Sequence, residues 1–137
     1  MKSAVLSRIG LLAGATITAA AVATSPAAAL TYGYGPWYNG SQRGAVAHFE
    51  KHGDHFKVCD IKSDGRYATI FVYDKTAKRY QMSLSDTKND GKCHYSSAAD
   101  GGYYNLPENH WFLITVRVVP EYGNGYGEKS YEIVNNA

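Results

Sequence analysis

The chain has 137 residues, 45% hydrophobic and 13% aromatic, with a formal net charge of +2. This is too apolar for a disordered chain, which cannot bury enough surface to offset its ordering entropy. The charge is too small to imply a nucleic-acid partner, and none is expected.

Residues 1–29 read as a secretory signal. Lys2 and Arg8 form a positive start, Ile9 to Val22 is an apolar run, and Ser25-Pro-Ala-Ala-Ala29 offers small residues for cleavage before Leu30. The run is short and rich in Ala and Thr for a bilayer span of about 20 residues. The expectation is therefore a secreted protein with no membrane contact once the signal is removed. Removal takes two basic residues with it, so 14 − 2 = 12 remain against 12 acidic ones. The mature chain would have 137 − 29 = 108 residues, enough for one domain.

Residues 30–43 form an aromatic and glycine-rich segment, Tyr32-Gly-Tyr-Gly-Pro-Trp-Tyr-Asn-Gly40, without a clean period of either kind. It reads as an extended arm ahead of a single β domain over 44–137. Within that domain, Ala45, Ala47 and Phe49 alternate with Val46, His48 and Glu50 in a first strand. Phe56 and Val58 carry a second. Tyr67–Tyr73 is rich in β-branched and aromatic residues, and its apolar character on both faces predicts a central strand buried on both sides. Arg79–Ser85 and Lys92–Tyr95 follow as strands. After a polar loop over 96–109, Trp111–Val119 forms a long strand that Pro120 ends. Glu128–Val134 is the last. About seven short strands joined by Asp-Gly and Gly-rich turns predict an all-β fold, an antiparallel sandwich or small barrel.

A motif occurs twice: Asp60-Ile-Lys-Ser-Asp-Gly65 and Asp86-Thr-Lys-Asn-Asp-Gly91. The chain's two cysteines flank these turns, Cys59 before the first and Cys93 after the second. An even cysteine count in an exported chain reads as a disulfide, and only one pairing exists.

The run Gly44–Phe49, Gly53-Asp-x-Phe-x-Val-Cys-Asp60, Asp64-Gly65 and Asn105-Leu-Pro-Glu108 resembles small exported proteins of actinomycetes with a short all-β domain. The resemblance covers most of residues 44–119. It implies secretion and a single β domain, and hands over no catalytic residue. Members often carry a second cysteine pair in the last third, where this chain has Arg117-Val-Val-Pro120.

Four groups of residues could carry chemistry. Asp60, Asp64, Asp86 and Asp90 match the first and fifth positions of a calcium loop, which would make this a calcium-stabilised surface protein. Lys62 and Lys88 stand where a third oxygen ligand belongs, so the motif is expected to be a pair of structural turns with no cofactor. His48, His52 and His55 fall across a strand and turn, not on the helix face that zinc sites use. Glu108, His110 and Arg117 could serve a small secreted hydrolase, ribonuclease-like, as base, acid and clamp, though no motif joins them. Tyr103, Tyr104, Tyr122 and Tyr126 lie in loops that a strand core does not need. Tyrosine gives rigid contact area with a hydrogen-bonding tip. The reading preferred from sequence is a non-enzymatic binding module for a glycan, the cell wall or another secreted protein.

Overall fold

The computed structural model describes residues 29–120 and 125–137. The signal reading therefore lies outside the described residues up to residue 28, and so does Tyr122. Among the described residues no helix is long and apolar enough to cross a membrane.

Among the described residues there are eight strands: β1 (Tyr34–Tyr38), β2 (Ala45–Glu50), β3 (His55–Asp60), β4 (Arg66–Asp74), β5 (Arg79–Asp86), β6 (Cys93–Ser96), β7 (His110–Pro120) and β8 (Tyr126–Asn135). They form two four-stranded antiparallel sheets, ordered β1–β2–β3–β6 and β5–β4–β7–β8. Each sheet keeps two free edges, so the architecture is a sandwich and the barrel alternative is excluded. The inner faces follow the alternation in the sequence. Ala45, Ala47, Phe49, Phe56 and Val58 of the first sheet meet Ile70, Val72, Phe112, Ile114 and Val116 of the second. Phe49 and Phe56 are paired across β2 and β3, with ring centroids 4.5 Å apart.

Strand β4 corrects one expectation. It is central, between β5 and β7, but only Ala68, Thr69, Ile70, Val72 and Asp74 are buried. Tyr67 and Phe71 are half-buried and Tyr73 is 40% exposed, because a second layer covers this sheet on one side only.

The segment read as an arm supplies β1. Trp37 pairs with Ala47 and Tyr38 with Val46, and the Trp37 ring stacks on Tyr131 of β8 at 5.2 Å. Asn39 then anchors the turn. Fully buried, it accepts the Gly44 and Ala45 N–H groups at 2.8 and 3.0 Å and donates to the Gly127 carbonyl at 3.2 Å. Gly127 has a φ of +57°, and a Cβ there would sit 2.8 Å from the Asn39 amide nitrogen, so both sterics and backbone favour glycine.

The doubled motif forms two corners lying side by side. Asp60, Asp64, Asp86 and Asp90 each accept the N–H two residues on, from Lys62, Arg66, Lys88 and Lys92. Asp86 also accepts the Asp60 N–H at 2.9 Å, and the Ser63 hydroxyl donates to Asn89 at 3.3 Å. Cys59 stands opposite Cys93 across β3 and β6, and the two form the disulfide.

At the other end a buried carboxylate does similar work. Asp54 accepts the Leu106 N–H at 2.8 Å and the Asn135 side-chain amide at 3.0 Å. This joins the β2–β3 turn, the long loop after β6 and the end of β8.

Candidate functional site

The loop after β6 is shaped by two single 3-10 turns, Ala98–Asp100 and Gly102–Tyr104. The Asp100 carboxylate accepts the Ser97 N–H at 2.7 Å and closes the first turn. Gly101 and Gly102, at φ +75° and +58°, then reverse the chain into Tyr103 and Tyr104. Tyr104 packs against the core, while Tyr103 is 74% exposed. Gln81 of β5 holds the loop in place by donating to the Tyr103 carbonyl at 3.0 Å. Between loop and strand lies an open cleft of about 470 Å³ lined by Tyr80, Gln81, Met82, Ser83, Tyr103 and Tyr104.

Tyr80 connects this cleft to the outer face of the second sheet. It is 57% exposed and pairs with Tyr73 of β4. Tyr73 pairs in turn with Leu113 of β7, two residues beyond Trp111, which is 52% exposed. Phe71 and Leu113, on the same face, are half-buried. The result is an aromatic band, Tyr103–Tyr80–Tyr73–Trp111, running from the cleft over the β5 edge and across three strands.

Trp111 is held from both sides of its backbone by the β4–β5 turn. Its N–H donates to the Thr76 hydroxyl at 2.9 Å and its carbonyl accepts the Lys75 N–H at 2.8 Å. Asp74 fixes that turn, accepting the Ala77 N–H and sitting 2.8 Å from His110 Nδ1. Burial alone would raise the Asp74 carboxyl. Hydrogen bonds from Ala77, His110 and Thr76 outweigh burial and hold the carboxyl below its ordinary range. A depressed carboxylate contributes stability above its unfolded pKa and loses it as pH falls through the folded value. Asp74→Asn is therefore expected to lower the denaturation midpoint at pH 7. The gap between the two proteins should shrink as pH falls below the ordinary carboxylate range and through the depressed folded value, where the wild-type carboxyl is also protonated. A gap that persists unchanged into acid would remove the charge from this account.

The structure separates most of the residues singled out from sequence. Tyr126 lies on β8, the opposite edge of the sheet from β5, and Val118, its partner, is at the far end of β7 from Trp111. Its hydroxyl donates to Asp64 at 2.6 Å and its ring lies under Arg66 at 4.7 Å. That hydrogen bond raises the Tyr126 hydroxyl and lowers the Asp64 carboxyl. Tyr126 thus braces a corner and does not join Tyr103 and Tyr104.

Glu108, His110 and Arg117 do not converge. Glu108 is exposed and accepts the Ala137 N–H. His110 is bound to Asp74 at one end of β7, whereas Arg117 is seven residues along, on the outer face beside Glu128 at 3.7 Å. Seven strand residues span roughly 23 Å, too far for one base, clamp and acid set. His48 lies under the Tyr32 ring at 5.6 Å, and burial and then Lys57 lower its pKa. The exposed His52 gives its N–H to Glu50. Among the described residues, no group of three or more His, Cys, Asp or Glu side chains is placed to hold a metal ion.

Tyr73, Tyr80 and Trp111 were not singled out from sequence. For Tyr73 and Trp111 the signal was the alternation itself, which sets them on the opposite face from Val72 and Phe112; Tyr80 alternates with Met82 and Leu84 and so reads as facing in, but the register shift in the β4–β5 pairing turns it outward, 57% exposed. Comparison of the chain with protein-family models, curated proteins and solved structures finds no match.

Proposed function

We propose that this chain is a secreted, non-enzymatic binding module whose contact surface is the band Tyr103–Tyr80–Tyr73–Trp111, and that it takes a glycan. The carrying observation is that four large exposed aromatic residues lie beside the cleft and on three adjacent strands of one sheet, with Trp111 clamped by the β4–β5 turn. Rigid rings lose little entropy on binding and offer flat apolar faces that stack on sugar rings. The disulfide supports an exported location, as does the signal read in residues 1–29.

Retention on insoluble chitin, cellulose and peptidoglycan tests this reading. Binding to at least one is expected. Trp111→Ala and Tyr80→Ala should each weaken it about tenfold, as burial of half an aromatic side chain implies. Both residues are largely exposed, so the variants should keep the wild-type circular dichroism and melting point. Retention that these well-folded variants do not change would sink the proposal.

A further inference from the structure

We propose that the cleft beside Tyr103 reads the acetamido group of a 2-acetamido sugar, an inference that deepens the glycan-binding function proposed above and rests on it. The cleft lies between β5 and the Tyr103 loop, and its volume of about 470 Å³ falls in the ordinary range of small-molecule sites. None of its lining residues, Tyr80, Gln81, Met82, Ser83, Tyr103 and Tyr104, carries a charge. Such a lining suits a neutral ligand, since an ionised group would lose water here and find no ionic partner.

Gln81 is the informative residue. In the β4–β5 ladder Tyr80 is paired with Tyr73 and Met82 with Val72, so Gln81 is the extra residue of a bulge. The bulge breaks the alternation, and two consecutive side chains, Gln81 and Met82, are buried, at 5% and 4% exposure. A polar side chain so enclosed is expected to satisfy both ends of its amide. Gln81 satisfies one. Its Nε2 donates to the Tyr103 carbonyl at 3.0 Å, which fixes the orientation of the amide and leaves Oε1 as the free end. Among the described residues nothing donates to Oε1. Nor is that atom sealed in the interior, for the enclosed side-chain atoms without a partner are Asp60 Oδ2, Ser96 Oγ and Asn135 Oδ1. A buried amide therefore presents one unpartnered acceptor at the wall of the cleft.

An acetamido group has three parts, and the cleft has a counterpart for each. The N–H is a donor for Gln81 Oε1. The carbonyl needs a donor, and the exposed Ser83 lines the cleft with a hydroxyl that makes no side-chain hydrogen bond among the described residues. The methyl group is apolar, and Met82 and the Tyr104 ring supply apolar wall. A plain sugar hydroxyl in the same place could serve Oε1 but would leave the methyl contact unmade. An extended peptide also offers N–H and C=O groups, but it would run along the β5 backbone, beside which Gln81 pins the loop. The exposed rings of Tyr80 and Tyr103 favour the flat face of a sugar.

Isothermal titration with chitotetraose, cellotetraose and an N-acetylated tripeptide amide tests this. The two sugars share a β-1,4-linked backbone and differ at the acetamido group alone. Chitotetraose is expected to bind about tenfold more tightly, the worth of one hydrogen bond and one methyl contact. Gln81→Met, which keeps the side-chain length and removes the acceptor, should close that gap. In isotope-labelled wild-type protein, whose folding no substitution disturbs, chitotetraose should shift the nuclear resonance of the Gln81 side-chain amide. Equal affinity for the two sugars, lost in Trp111→Ala, would overturn the acetamido preference and leave the glycan-binding surface standing. A gap that persists in folded Gln81→Met, or an amide resonance that chitotetraose does not move, would overturn the role given to Gln81. Equal weakening of both sugars by Gln81→Met would overturn it too, leaving that residue only the task of holding the loop. Tightest binding to the tripeptide would overturn the sugar assignment. No binding of any of the three would overturn the inference and count against the glycan-binding surface as well.

Discussion

Phe49→Ala is expected to destabilise the fold by about 3–5 kcal/mol, the cost of deleting a fully buried aromatic ring and leaving its cavity. Phe49 has no exposed surface and sits on β2, in contact with both Phe56 and Tyr34. The loss falls on β1, β2 and β3 together, because the ring is where β1 closes on its neighbours. A domain of about a hundred residues loses roughly 4–8 °C of melting temperature per kcal/mol, so the midpoint should fall by 12 °C or more. Thermal unfolding followed by near-ultraviolet circular dichroism measures it. A fall of only a few degrees would mean that the site collapses around the smaller side chain and that the Phe49–Phe56 pair is not central to the core.

Replacing both Cys59 and Cys93 with Ser is expected to cost about 4 kcal/mol, the chain-entropy value for a loop of this length. The cysteines are 34 residues apart in sequence and enclose β4 and β5, so the bond joins β3 to β6 across a long excursion through the other sheet. Strand β6 has only four residues and an open outer edge, with few hydrogen bonds of its own to resist detachment. Urea unfolding should show a lower midpoint for the double variant. Intact mass after alkylation should show no free thiol in the unreduced wild type. Equal midpoints, or alkylated cysteines in the unreduced protein, would sink this account.

The strands were legible because most of them bury one face. Ala45–Phe49 and Phe112–Val118 alternate cleanly, and the structure buries the apolar set in each. The twin corners were legible for a local reason, since an Asp two residues before a free N–H forms its turn without help from the rest of the fold. Strand β1 was hidden. Glycine and proline interrupt Tyr34–Tyr38, and a shift of register between Tyr34 and Trp37 breaks the two-residue period. Its partners, Ala47 and Tyr131, are remote in sequence, so only tertiary packing reveals it.

The aromatic band was hidden for the opposite reason. Tyr73 sits on a strand apolar on both faces, and that pattern is the same whether the second face is covered or is a surface for something else. Of the loop tyrosines, Tyr103 reaches the surface beside the cleft. Tyr126 looks the same in sequence and is spent on Asp64, because a corner 62 residues away is folded against it.

An open sandwich leaves four outer strands whose backbone could template a further strand from a neighbouring molecule. Here each is guarded by a different means. Strand β1 carries Pro36 and irregular pairing, β6 is too short to be a template, and β8 presents Glu128, Lys129 and Glu132. The fourth, β5, has the Tyr103 loop pinned beside it through Gln81. Partners are thereby denied the backbone and must deal with side chains. The molecule can then expose aromatic side chains on its outer face without stacking edge to edge on copies of itself.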